Sequence, residues 1–232
     1  MDVIPASVFM SFISEPKDLL CDKNSSINEV IMNFLSIDCS TDSSSLFIKY
    51  ENNAFSKILQ SVKSSNDLLM HEILDFFSKN KLKFDDIDQI FVNQGPGNFS
   101  NLRTSLSIAK GVSISKNLNL YGYNTFLWSC TKVARKKNFI FSIIEFRKNY
   151  FVQKFDKNLN IAGGIQKVTK ETIVTNYYNE IKVIPKIMAK NFDKDILSLN
   201  NLTIADLDHN ELESLKLKGL LDKDLIKPLY LS

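Results

Sequence analysis

Short runs with apolar residues on alternate or successive positions, which predict strands, take turns along this chain with longer runs spaced i, i+3, i+4, which predict helices. Residues 33–38 (NFLSID) and 45–50 (SLFIKY) read as two strands around the polar turn DCSTDSSS, whose side chains bond local backbone; 54–60 offers a third strand. Leu68, Leu69, Ile73, Leu74, Phe76 and Phe77 fit a helix that starts at Asn66 or Asp67, either of which can cap it, and runs to about Lys79. A strand at 89–93, a helix from about 100 to 115, a strand at 118–124 and a helix over 124–137 follow, the last ending in basic residues that suit its dipole. The pattern then restarts. A hairpin of 139–146 and 149–155, a strand at 160–168, a helix at 170–179, a strand at 181–188 and a helix at 205–217 lead into the tail IKPLYLS. Alternation of this kind predicts an α/β class. The restart predicts two lobes, 32–124 and 125–232, although no internal repeat is visible in the letters.

Residues 1–31 stand apart. The apolar run VIPASVFMSFI follows the acidic Asp2 with no basic segment, which argues against a secretory signal. A polar stretch comes next, and the first patterned strand begins directly after Met32. The expectation is that translation starts at Met32 rather than Met1, with 1–31 a loose extension.

With 44% hydrophobic residues over 232 positions, the chain can bury a substantial core. A formal charge of +3 is too small to demand direct nucleic-acid binding. The densest basic patch, KVARKKN, makes Lys132, Arg135, Lys136 and Lys137 the candidates for any nucleic-acid contact. Cys21, Cys39 and Cys130 are far apart and unpaired in spacing, which argues for a reducing, cytoplasmic setting and against a zinc site. No apolar run approaches the roughly 20 residues that cross a bilayer.

The candidate chemistry is concentrated in FVNQGPGNFSNLRTSLSIAKG, residues 91–111, which holds three of the chain's seven glycines: Gly95, Gly97 and Gly111. The loop joins a strand to a helix, where backbone amides can hold an anion. It is neither GxxxxGK[ST] nor GxGxxG, however, and Pro96 removes a donor, so it reads better as a rigid turn. The helix behind it carries small residues in pairs, Ser105 with Ala109 and Ser107 with Gly111, which let another element approach closely. That element is either the chain's own core or a partner. At the strand end IDCST, Asp38, Ser40 and Thr41 are weak candidates for Mg²⁺–phosphate, with a capped turn the plainer reading. His71 and His209 form no metal-binding pair, and no nucleophile–base set is visible. No cofactor is expected.

NFLSIDCST followed by VNQGPGNFSNLRTSLSIAKGV resembles the TsaB (YeaZ) family of bacterial threonylcarbamoyladenosine biosynthesis. The shared positions are Asp38, Ser40, Thr41, Gly95, Pro96, Gly97, Phe99, Leu102, Arg103, Ala109, Lys110 and Gly111. Weaker matches come from IIEFRKNYF, with Glu145 and Arg147, and from the tail residues 228–231. Asn98, Ser100 and Asn101 depart from the family's usual Ser, Thr and Gly; an asparagine tolerates a left-handed turn. The resemblance implies a two-lobed actin/Hsp70/sugar-kinase-like (ASKHA) fold with RNase H-like sheets, and a non-catalytic scaffold. Such a subunit pairs with the TsaD-type threonylcarbamoyltransferase through two helices and is joined by a TsaE-type ATPase; it contacts tRNA only indirectly and can also form a homodimer. On this chain Leu69, Ile73, Phe76, Leu102, Leu106 and Ala109 are the expected partner contacts. Gly95, Pro96, Gly97, Arg103 and Gly111 are expected to shape the loop and helix. The alternative is a stand-alone ATP-dependent transferase or kinase of the same fold.

Overall fold

The computed structural model describes residues 32–41, 43–59, 66–134 and 138–231, with backbone only at 66 and 67. The extension 1–31 with Cys21, the capping side chains of Asn66 and Asp67, and Arg135, Lys136 and Lys137 lie outside the described residues. The first half builds β1 (Phe34–Asp38), β2 (Ser44–Tyr50), β3 (Asn53–Leu59), α1 (Asn66–Lys79), β4 (Gln89–Asn93), α2 (Phe99–Lys116) and β5 (Asn119–Tyr123). These strands form a five-stranded sheet in the order β3-β2-β1-β4-β5. The β1–β2 and β2–β3 pairs are antiparallel, and β1–β4 and β4–β5 are parallel, with Ile37 opposite Val92.

The short helix α3 (Thr125–Cys130) ends in a 3-10 turn, Thr131–Val133, and leads to the second half. There lie β6 (Phe139–Phe146), β7 (Asn149–Asp156), β8 (Gln166–Val168), α4 (Lys170–Asn176), β9 (Ile181–Pro185), α5 (Lys194–Leu197), β10 (Leu202–Ala205) and α6 (Glu211–Leu217). The sheet order is β10-β9-β6-β7-β8. Strand for strand this is the topology of the first sheet: two antiparallel neighbours on one side of the founding strand, two parallel ones on the other. The duplication is architectural only.

Four expected boundaries move. The helix expected over 124–137 stops at Cys130, and the strands expected at 160–168 and 181–188 shrink to Gln166–Val168 and Ile181–Pro185. The helix expected over 205–217 is only its last part, because Ala205 closes the edge strand β10 by pairing with Pro185. Between them Asp208 accepts the Asn210 amide at 3.0 Å, a local bond that competes with helix.

β1 and β4 are buried on both faces, as their nearly unbroken apolar runs require. Leu35, Ile37, Ile90 and Val92 face a core shared with α1 and α2. Phe34 and Phe91 meet edge to face at 4.8 Å within the other core, which also holds Ile140, Ile143 and Phe155 of the second sheet.

One buried and one partly buried polar group tie segments together. Lys182 on β9 is fully buried and its ammonium donates to the carbonyls of Tyr177, Tyr178 and Glu180 at 2.7–3.1 Å, just past the end of α4. His209 lies against Phe47, with ring centroids 5.0 Å apart, and against Trp128 at 4.8 Å. Its Nδ1 is 3.0 Å from Ser36 Oγ and its Nε2 is 3.3 Å from Ser45 Oγ, so a neutral ring satisfies both hydroxyls.

Burial pulls the His209 pKa from 6.5 down to about 4, against a weaker pull upward from Asp208. A depressed histidine contributes stability that is complete above the unfolded value and is lost as pH falls from 6.5 toward about 4. Discounted for the part of the ring that reaches solvent, the loss is roughly 2 kcal/mol. Thermal unfolding followed by circular dichroism should therefore show a fall in Tm across this interval, and His209→Gln should flatten it. An equal slope in the variant would assign the acid sensitivity elsewhere.

Candidate functional site

The parallel pair β1 and β4 ends with Asp38 and Asn93 side by side, at the carboxyl edge where open α/β sheets place ligands. Asn93 is fully buried. Its Nδ2 lies 3.0 Å from Asp38 Oδ1, 3.2 Å from Ser40 Oγ and 3.0 Å from Thr125 Oγ1, while its Oδ1 accepts the Gly95 amide at 2.8 Å. Asp38 Oδ1 also accepts the Ser40 amide at 2.9 Å. Burial raises the Asp38 carboxyl above the ordinary carboxylate range, although its bonds from Ser40 and Asn93 pull the other way. Asp38 and Ser40 thus hold the turn together from inside. Thr41 remains at the surface, its Oγ1 3.4 Å from the Ser43 carbonyl. Among the described residues no cluster of three or more His, Cys, Asp and Glu could hold a metal. Cys39 and Cys130 are buried, which pushes both thiols up to about 12.

The glycine loop has two positions that only glycine fills. Gly95 has φ +112° and a cis bond to Pro96. A Cβ on Gly97 would stand 1.9 Å from the Ser40 carbonyl oxygen, so the loop lies directly on the β1–β2 turn. Asn98 is not left-handed; it is extended and caps α2, its Oδ1 accepting the amides of Ser100 (3.0 Å) and Asn101 (3.5 Å). The C-terminal tail closes over the loop: Leu229 N–H donates to the Gln94 carbonyl at 2.7 Å, and Gln94 Nε2 to the Lys227 carbonyl at 3.0 Å.

A cleft of about 240 Å³ opens beside this loop, lined by Ser40, Thr41, Gly97 and Asn98 from the first half and Glu145, Arg147 and Lys190 from the second. It gathers the carboxyl ends of β1 and β4 and, from the duplicated sheet, those of β6 and β9. Arg147 and Lys148 form the two-residue β6–β7 turn, both at positive φ (51° and 62°), and the Glu145 carboxylate accepts the Lys148 amide. Two cations and several hydroxyls make the cleft hospitable to an anion. The described carboxylate lining it, Glu145, is engaged by its own hairpin.

The two-helix surface needs a correction. Leu69, Ile73, Phe76, Leu102, Leu106 and Ala109, expected to meet a partner, are at most 4% exposed. The same i, i+3, i+4 stripe that makes a helix amphipathic here faces the sheet of its own chain. The two small-residue pairs divide accordingly. Ser105 and Ala109 are fully buried inside, whereas Ser107 and Gly111 are exposed outside. Among the described residues nothing lies within 4 Å of a Cβ built on Gly111, so no contact among them calls for it. Beside it Ile114 is 83% exposed, and Leu74 on the neighbouring α1 is 48% exposed. Lys132, the described member of the basic patch, lies 3.9 Å from Asp208.

Comparison with known proteins bears on this arrangement. Residues 60–138, which include α1, the glycine loop and α2, match the family model "TsaD: tRNA N6-adenosine threonylcarbamoyltransferase". A tRNA threonylcarbamoyladenosine biosynthesis protein TsaB from Buchnera aphidicola of Acyrthosiphon pisum is 28% identical over 130 residues, covering 54% of this chain and 58% of that protein. Another, from Buchnera aphidicola of Baizongia pistaciae, is 26% identical over 173 residues, covering 69% of this chain and 72% of that protein. YeaZ from Pseudomonas aeruginosa superposes with a TM-score of 0.63 over 86% of this chain and 100% of its own, at 15% identity. In sequence the chain is thus similar to TsaB proteins, and in fold to YeaZ. The match to the first TsaB relative spans less than two thirds of that protein. The fold is the two-sheet α/β architecture of YeaZ. No helix among the described residues is long and apolar enough to cross a membrane.

The role of Asp38 inside the turn is open to test. Asp38→Asn keeps an acceptor oxygen for Ser40 and Asn93 while removing a charge that burial disfavours, so its Tm at neutral pH should equal or exceed the parent's. Because the raised carboxyl favours the folded state at low pH, that gain should shrink as pH falls. Asp38→Ala leaves the Ser40 amide without its acceptor and takes one of three acceptors from Asn93 Nδ2, and should cost about 1–3 kcal/mol. A destabilisation by Asn as large as by Ala would show that the charge itself is required.

Proposed function

We propose that this chain is a non-catalytic scaffold subunit of the TsaB type, which binds a TsaD-type threonylcarbamoyltransferase and supports formation of threonylcarbamoyladenosine on tRNA. The observation that carries the reading is the outer face of α2. Gly111 lies within the helix, where glycine costs about 1 kcal/mol against alanine, with no described residue over it, Ile114 exposed three positions on and Leu74 exposed on the neighbouring α1. A facing helix can approach such a surface closely and bury those side chains. The names of the relatives support the pathway, and the match to the TsaD family model supports a partner built on related elements. A TsaE-type ATPase joins that pair, and without the catalytic subunit the same face can meet a second copy of this chain. tRNA is reached through the partner. Catalysis is assigned to the partner because Asp38, Ser40 and the two described thiols are committed to the interior here.

The test is co-elution of the full chain with the TsaD-type subunit of the same organism, with mass determined by light scattering. A stoichiometric complex is expected, lost in Gly111→Trp and in Leu74→Asp. Both substitutions fall on exposed positions, so each variant should unfold within about 0.5 kcal/mol of the parent. Complexes of undiminished stability with both variants would remove this face from the interface.

A further inference from the structure

Arg103 lies one turn before Ser107 and two before Gly111, at the N-terminal end of the same outward stripe of α2. Its side chain is held on two sides. Nε donates to the Tyr230 hydroxyl at 3.0 Å, and Cζ stands 3.8 Å from the centroid of the Phe99 ring. Phe99 and Tyr230 in turn stack on each other at 5.1 Å with 25° between their planes. Both rings are about half exposed, at 45% and 48%. Tyr230 is fixed by the tail: Ile226 is buried, Leu229 bonds the Gln94 carbonyl, and Gly122 and Asp222 exchange two backbone bonds at 2.7 and 2.9 Å. An exposed arginine ordinarily samples many rotamers, and immobilising one on binding costs about 0.5–1.5 kcal/mol. Here the tail has already ordered it. Among the described residues Arg103 forms no ion pair, and neither terminal nitrogen of its guanidinium makes a hydrogen bond.

We propose that this aromatic clamp presents Arg103 as a preformed fork for a carboxylate of the partner subunit, and that the fork fixes which way the partner helix lies along α2. The inference rests on the scaffold reading above. It places an Asp or Glu of the partner near one end of the contact, roughly 16 Å along the axis from whatever covers Ile114, since eleven residues of helix separate the two positions. Planar, bidentate recognition also explains arginine at this site in a chain that has two other arginines and draws nearly all its positive charge from lysine, which is a point charge without a fork.

The experiment is titration calorimetry of the full chain against the TsaD-type subunit of the same organism at several salt concentrations. Four variants are compared with the parent: Arg103→Gln, Arg103→Lys, Tyr230→Phe and Gly111→Trp. Arg103→Gln should weaken binding about tenfold and flatten its salt dependence, and Arg103→Lys should keep the salt dependence but recover little of the affinity. Tyr230→Phe keeps the ring stack and loses only the bond to Nε, so it should weaken binding about threefold. A purely structural role for the clamp would lower the Tm of the free chain without changing the salt slope. Parent-like affinity and salt slope in Arg103→Gln, alongside loss of binding in Gly111→Trp, would overturn the fork and leave the scaffold standing. No binding by the parent would overturn both.

Discussion

Asn93 ends a largely apolar strand, and its side chain ties its own loop to two segments that are remote in sequence, the end of β1 and the start of α3. It bonds the carboxylate at the end of β1, the hydroxyl of the turn after it, the amide that starts the glycine loop and the hydroxyl that starts α3. A buried amide left unpaired would cost more than its bonds gain, so the arrangement is all or nothing. Once Asn93 is placed, Gly97 must lie on the Ser40 carbonyl, Asn98 must cap α2, and the direction of α2 is set. Everything on the outer surface of that helix follows from a polar contact inside it.

α2 works on both sides at once, and its composition reflects that. Toward the sheet it offers Leu102, Leu106, Ala109 and Val112, a mixture of bulk and one small residue that lets the helix sit close to β4. Toward solvent it offers Ser107, Gly111 and Ile114, all exposed among the described residues. A surface of that kind has low intrinsic helix propensity. It persists because burial of the inner stripe outweighs the local cost, a few kcal/mol of apolar transfer against about one.

The two sheets share one topology but place different chemistry at equivalent ends. After β1 and β4 come hydroxyls and glycines; after β6 and β9 come Arg147 at a strained hairpin tip and Lys190. The cleft between these ends is polar and open, while the groups that would make it reactive are turned inward. Asp38 is withheld by burial and by its two donors, and Glu145 by the amide of Lys148. The tail completes the same edge, since it bonds Gln94 within the glycine loop and ends beside Phe99.

By itself the sequence determined the class of each long element, the α/β alternation, the restart after residue 137 and the singular character of the glycine loop. Period and turn chemistry are local properties, legible without neighbours. Short edge elements such as β10 escaped because four residues carry too little pattern to outweigh a helical stretch beside them. The choice of which helix face looks outward was also beyond the letters. Leu69, Ile73, Phe76, Leu106 and Ala109 form a stripe that suits a core and an interface equally, and only the position of the sheet decides between them. Asn93, His209 and Tyr230 give no sign in sequence of what they hold, because their partners lie up to 173 residues away. Tertiary structure alone brought those groups within bonding distance, and with them fixed the burial of Asp38, the cap of α2 and the setting of Arg103.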